Sequence, residues 1–201
     1  NVLLAILILT FMLLVGPTNM ILNVFISTMA DYVSSLFTMS LSTNPFLGRE
    51  WTQSWTIFYW AWWISWSPFV GLFVASISRG RTIRAFVSGA LLVPTLLTFV
   101  WFSVFGGAAF DLELNQGALI AAAVAEDVSI GLFKVYSLYP LSGVLTVLTI
   151  LLLVVFFVTS ADSATYVLSM MTSPGGADPS AGKKVIWGLL VSSTAAILLF
   201  S

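Results

Sequence analysis

Residues 55–71 read WTIFYWAWWISWSPFVG. Five tryptophans fall between Trp55 and Trp66, with Phe58 and Tyr59 among them. On a helix, residues three, four, seven and eight apart share a face. Phe58, Trp62 and Trp66 therefore form one stripe, and Tyr59, Trp63 and Trp66 form an adjacent one. Trp60 points roughly opposite to Trp62, and Trp55 sits near the end of the segment. One helix face thus carries a continuous aromatic wall. The rest of the sequence decides which solvent the wall meets.

That solvent is lipid. The chain is 59% hydrophobic and 7% charged, whereas soluble domains carry about 25% charged residues. Seven basic and eight acidic residues leave a net charge of −1. There is no basic face to neutralise phosphates, so no nucleic-acid partner is expected. The chain has no cysteine, hence no disulfide framework or thiolate chemistry, and no histidine, hence no histidine catalysis and none of the usual zinc sites. Asn1 and Ser201 both lie in apolar runs without charged flanks. The sequence reads as a piece of a longer membrane protein, cut at both ends.

A membrane helix needs about 20 mainly apolar residues. The gaps between charges place spans at about 1–16, 54–78, 85–110, 139–171 and 185–201, the first and last truncated, in a single membrane domain. Residues 20–39 read MILNVFISTMADYVSSLFTM, apolar but broken by Asn23, Ser27, Asp31, Ser34 and Ser35. They predict an amphipathic helix lying along the membrane surface or against the bundle. One link holds Arg79, Arg81 and Arg84 with no acid, and another holds Lys183 and Lys184 against Asp178. The alternate links hold Asp31, Arg49 and Glu50, then Asp111, Glu113, Glu126, Asp127 and Lys134. The positive-inside rule puts residues 79–84 and 172–184 on the cytoplasmic side. Lys183 and Lys184 are read as marks of topology alone.

Trp66 lies 16 residues beyond Glu50 and 13 before Arg79, close to mid-membrane. An interfacial belt suits Trp55 and Trp60 but does not belong at that depth. Packing between helices explains one or two such rings. Three on one face at depth shift the balance towards a ligand wall. Indole faces suit a cation that donates no ordinary hydrogen bonds, such as a quaternary ammonium group, and each desolvated contact is worth about 2 kcal/mol. Pro68 leaves the carbonyl of Ile64 without its helical donor, with the hydroxyls of Ser65 and Ser67 nearby. A helix loosened there is what transporters place at a mid-membrane site, although proline also occurs in membrane helices without a binding role.

The tryptophan segment, followed directly by SRGRTIR (78–84), closely resembles the signature of the betaine/choline/carnitine transporter family. FFVTSADSATYV (156–167) looks like that family's tenth helix, and WFSVFGGAAF (101–110) also matches its usage. The resemblance covers essentially the whole chain. It implies an all-α membrane protein, part of a LeuT-type inverted-repeat fold, covering helix seven to the start of helix eleven of twelve. Residues 20–39 would match the family's surface helix. The substrate wall would be Trp62, Trp63 and Trp66, with Phe58 beside them, completed by helices three and four that are not in this sequence. The hydroxyls of Thr159 and Ser160 and the carbonyl of Phe156 would hold a sodium ion. A homotrimer in the bacterial plasma membrane is also among what the resemblance implies.

Phe156, Thr159 and Ser160 do share a helical face, and hard oxygens suit a hard cation. The residues alone favour a plainer account, in which Thr and Ser bond to their own helix backbone. Asp162 is the only acid within a span. It reads either as a gating or proton-handling group or as a structural acceptor. The leading expectation is secondary import of a small trimethylammonium compound, most of all glycine betaine, coupled to sodium, with no further cofactor. Within the same fold, proton-coupled choline uptake or carnitine exchange are the alternatives. A membrane enzyme is disfavoured by the missing His and Cys and by the absence of paired acids in a span. A channel would line its pore with polar rings or carbonyls, and here the candidate lining is indole.

Overall fold

The computed structural model describes residues 1–43, 49–173 and 179–200. Asp178, Ser201 and the side chain of Arg49, on which the sequence places part of the charge pattern and the end of the last span, lie outside the described residues. Among the described residues, secondary structure is helical, with no strand. The order is α1 (Val2–Val15), α2 (Thr18–Ser40), α3 (Arg49–Trp51), a π-helical turn (Thr52–Ile57), α4 (Phe58–Ile77) and α5 (Ile83–Gln116). Then come α6 (Ile120–Glu126), a 3-10 turn (Val128–Ile130), α7 (Gly131–Ser137), α8 (Ser142–Met171) and α9 (Ala181–Phe200). Five stretches are long and apolar enough to cross a membrane: α2, Thr52–Ile77, α5, α8 and α9. With α1 too short to count among them, this is a multi-pass integral membrane protein.

The chain divides into two compact units. One comprises Asn1–Leu41 and Thr82–Leu153, the other Ser42–Arg81 and Val154–Ser201.

The first unit holds the packed core. Ile8 and Met12 of α1, Ile21 of α2, Val104, Phe105, Ala108 and Leu112 of α5, Ile120 of α6, Val135 and Tyr136 of α7 and Leu145 of α8 are all buried. Between membrane helices such burial is held by close packing rather than by removal from water. Tyr136 has no exposed surface. Its ring meets Phe105 edge-on at 6.1 Å, and its phenolic oxygen accepts a hydrogen bond from the buried Thr149 hydroxyl at 3.1 Å. α1 ends where Gly16-Pro17 interrupts the helix, and the Gly16 amide closes it on the Met12 carbonyl at 2.9 Å. α2 then runs antiparallel to α5. Ile21 lies against Gly107, where an added Cβ would come within 3.0 Å of the Ile21 backbone. Further along, Tyr32 meets Phe99 at 5.1 Å.

α5 starts on a Thr82 side-chain cap, which accepts from the Ala85 amide at 3.2 Å. It ends on Gly117, at φ +63, with the Ala118 amide reaching back to Leu112 at 3.0 Å. A left-handed residue closing a helix in this way favours glycine. The helix runs past Phe110, the end read from charge spacing, to Gln116. Its two last acids are satisfied locally. Asp111 accepts from Asn115 at 2.8 Å and Gln116 at 3.1 Å. Glu113 accepts from the amides of Ile120 and Ala121 and so caps α6. Asp127 caps the following 3-10 turn through the Ser129 amide at 2.8 Å and the Ser129 hydroxyl. The acid-rich link of the sequence is thus built into two short helices and a 3-10 turn, and two of its charges, Glu113 and Asp127, serve as helix-end acceptors.

In the second unit, Thr56 donates to the Ser42 carbonyl at 2.9 Å. The α8–α9 seam is polar and aromatic. Trp187 Nε1 donates to Thr172 Oγ1 at 2.9 Å, and Lys183 Nζ donates to Ser173 Oγ at 3.1 Å. Lys184 Nζ lies 5.4 Å from the centre of the Tyr166 ring. Gly188 lets the helices approach, since a Cβ there would sit 3.7 Å from Thr165.

Candidate functional site

The wall on α4 follows from helical spacing, and the rings are in mutual contact. Phe58 and Trp62 lie 6.4 Å apart, Trp62 and Trp66 6.0 Å, Trp62 and Trp63 5.9 Å, and Trp63 and Trp66 5.9 Å. The structure therefore brings together all four residues read as a substrate wall. It extends the ladder outward through Tyr59, 5.8 Å from Trp62, to Trp55, which stacks on Tyr59 at 5.9 Å with planes 6° apart. Spacing already placed Tyr59 on the second stripe. Trp55 precedes it by four residues and is found by the same rule. None of these rings is buried, and Trp63 is 56% exposed.

The backbone beneath the wall is continuous. α4 passes through Pro68 without a break. The Ser67 hydroxyl donates to the Ile64 carbonyl at 3.1 Å, in place of the donor that proline lacks. Ser65 similarly donates to Trp62 at 2.9 Å. The irregular turn lies on the other side of the wall, at Thr52–Ile57, where the helix is π-wound. Such turns insert an extra residue per turn and are frequent at functional sites.

On α8 the Thr159 hydroxyl donates to its own helix, within 3.0 Å of both the Val155 and the Phe156 carbonyls. The plain backbone bond thus exists. A hydroxyl that donates its proton keeps its oxygen lone pairs for a cation. Phe156, Thr159 and Ser160 are all exposed, as is Asp162. The polar line continues through Ser163, bonded to Thr159 at 2.9 Å, and ends at Ser173, bonded to Ser169 at 2.8 Å. Among the described residues no cluster of three or more His, Cys, Asp or Glu side chains has a metal-binding arrangement. The Thr159 hydroxyl and the Phe156 carbonyl are neutral oxygen donors.

Two features were missed in the sequence. Lys184 reaches Tyr166 of α8 and Lys183 reaches Ser173 just beyond its end, contacts that go beyond marking topology. In the first unit, Pro17, Thr18, Asn19, Met20, Asn23, Asp111 and Asn115 line an open cleft of about 460 Å³. Asn19 and Asn23 are one turn apart, as are Asp111 and Asn115. Only the pairing of the two helices makes the spacings meaningful together.

Residues 1–201 match the family described as "BCCT, betaine/carnitine/choline family transporter". The chain is 50% identical to the glycine betaine transporter OpuD of Bacillus subtilis (strain 168), across 100% of this chain and 39% of that protein. It is 45% identical to an ectoine/hydroxyectoine transporter of Virgibacillus pantothenticus, across 96% of this chain and 39% of that one. It is 42% identical to glycine betaine transporter 1 of Vibrio parahaemolyticus serotype O3:K6 (strain RIMD 2210633), across 87% of this chain and 33% of that one. The chain spans about two fifths of the length of the first two curated relatives. These relatives are transporters, not enzymes. Their family is all-α with the LeuT-like fold, in agreement with the helices found here. On these matches the chain belongs to the betaine/carnitine/choline transporter family.

Proposed function

We propose that the full-length protein imports glycine betaine by secondary active transport coupled to sodium, with this chain supplying one wall of the substrate site. The observation that carries the reading is the unbroken set of touching rings Phe58, Trp62, Trp63 and Trp66 near the middle of a membrane helix. A trimethylammonium group laid on such a face gains cation–π attraction without needing a hydrogen-bond acceptor. The names of the Bacillus and Vibrio relatives support betaine.

Ectoine is a second reading, favoured by the Virgibacillus relative. Its delocalised ring cation also presents a weakly hydrated face to indole.

The test is uptake of radiolabelled glycine betaine by the full-length protein in proteoliposomes. Trp66→Leu keeps apolar bulk and removes the ring quadrupole, so it should raise KM about 30-fold, the equivalent of about 2 kcal/mol. Trp60→Leu, roughly 200° around the helix from Trp62, should change KM far less. Equal effects would make the wall ordinary packing.

Sodium is read from the oxygens of Phe156, Thr159 and Ser160. Ser160→Ala should raise the sodium concentration for half-maximal uptake, with little change in betaine KM at saturating sodium. Uptake indifferent to sodium but abolished by a protonophore would overturn the coupling ion and leave the wall standing, with Asp162 the next group to test.

A further inference from the structure

Lys184 places a protein cation on an aromatic ring of the helix that carries the candidate sodium ligands. Its Nζ lies 5.4 Å from the Tyr166 ring centre, within the range of about 6 Å over which a ring face attracts a cation. Tyr166 is seven residues after Thr159 and four after Asp162, so all three lie on neighbouring parts of one helical face. Asp162 is exposed, and Lys184 and Tyr166 are both half-buried. The Tyr166 ring and the Asp162 carboxylate, one turn apart on α8, offer two groups that attract a cation. α9 delivers the lysine to it, held close by Gly188 against Thr165 and by Lys183 on Ser173.

We propose that the Tyr166 face, with Asp162, is a second, weaker site for the substrate's quaternary ammonium group, at the end of α8 that the basic residues put towards the cytoplasm. Lys184 occupies it when the substrate does not. This rests on the transport reading above. A cation held by several indoles leaves slowly, and passage requires sites weak enough to release it. A tethered ammonium that competes for the last ring lowers the affinity of that ring and returns once the substrate has gone. Substrate and Lys184 are then mutually exclusive on Tyr166.

The test needs no transport. Full-length protein in detergent is treated with an amine-acylating reagent, and the labelling of Lys183 and Lys184 is followed by mass spectrometry with and without tetramethylammonium. Tetramethylammonium should displace Lys184 and raise its labelling rate severalfold, with Lys183 unchanged. In Tyr166→Leu the Lys184 rate should be indifferent to tetramethylammonium. Tyr166→Phe, which keeps the ring, should respond like the parent and guards against a folding defect. Trp66→Leu should respond like the parent too, so loss of the wall and loss of this site are told apart. A Lys184 rate that tetramethylammonium leaves unchanged in the parent protein, or raises equally in Tyr166→Leu, would overturn the proposal.

Discussion

Two clusters of aromatic rings among the described residues differ in what lies around them. In the first unit Tyr136 and Phe105 are enclosed, at 0% and 7% exposure. They are ringed by aliphatic side chains of α1, α5 and α8. On α4 the rings contact one another just as closely, yet Trp62 is 47% and Trp66 42% exposed. The first arrangement uses its surface for cohesion. In the second, neighbouring rings touch along a single helix, whereas the ring contact of the first joins α5 to α7.

The sharpest test of that contrast is stability. Tyr136→Ala empties a fully enclosed site and strands the Thr149 hydroxyl, so it should cost about 3–5 kcal/mol. Unfolding of the full-length protein in detergent would read this. Trp66→Leu keeps apolar bulk, so it should cost a small fraction of that while impairing betaine uptake. If Trp66→Leu unfolds the protein as readily as Tyr136→Ala, the two regions do not differ in kind.

A smaller effect is expected at the α2–α5 contact. A Cβ at Gly107 would come within 3.0 Å of the Ile21 Cα, a backbone atom that cannot step aside alone. Gly107→Ala should therefore destabilise the first unit by about 1–3 kcal/mol through overpacking. Gly71→Ala, on α4 with open space around it, should be neutral or slightly stabilising because alanine favours helix. Thermal unfolding of the two variants decides the matter.

The smallest effect is a pH dependence at the edge of the packed core. The Ser129 hydroxyl, then the Ser129 amide, hold the Asp127 carboxyl below the ordinary carboxylate range. The unfolded chain binds that proton more tightly. The cap is therefore complete above about pH 4, the unfolded value, and is lost as the pH falls through the lower folded value. Asp127→Asn should abolish this dependence. Hydrogen exchange of the amides in Val128–Ile130, compared between parent and variant across the acid range, would show it. An identical profile in both would remove the cap from the account.

Much of the candidate site was legible because it is local. The faces of α4 follow from 3.6 residues per turn, and the Ser67 hydroxyl reaches a carbonyl three residues back. Phe156 and Thr159 likewise meet within one turn. No long-range contact is needed for any of these. The fate of the acids between Asp111 and Asp127 was less legible. A charge count treats them as solvent-facing link residues, whereas the starts of α6 and of the 3-10 turn need acceptors and took them from Glu113 and Asp127.

The sequence by itself determined that the chain lives in lipid and which rings share the α4 face. Composition and helical periodicity are properties of the chain alone. Only the tertiary structure decided which faces pack. α1, α5 and α8 are apolar nearly all round, so their hydrophobic pattern does not say which side meets a neighbour. The burial of Tyr136, the passage of α2 along Gly107 and the reach of Lys184 to Tyr166 all join residues far apart in the chain. Such contacts depend on how helices pair, and in a membrane that pairing is set by close packing and polar contacts rather than by apolar periodicity.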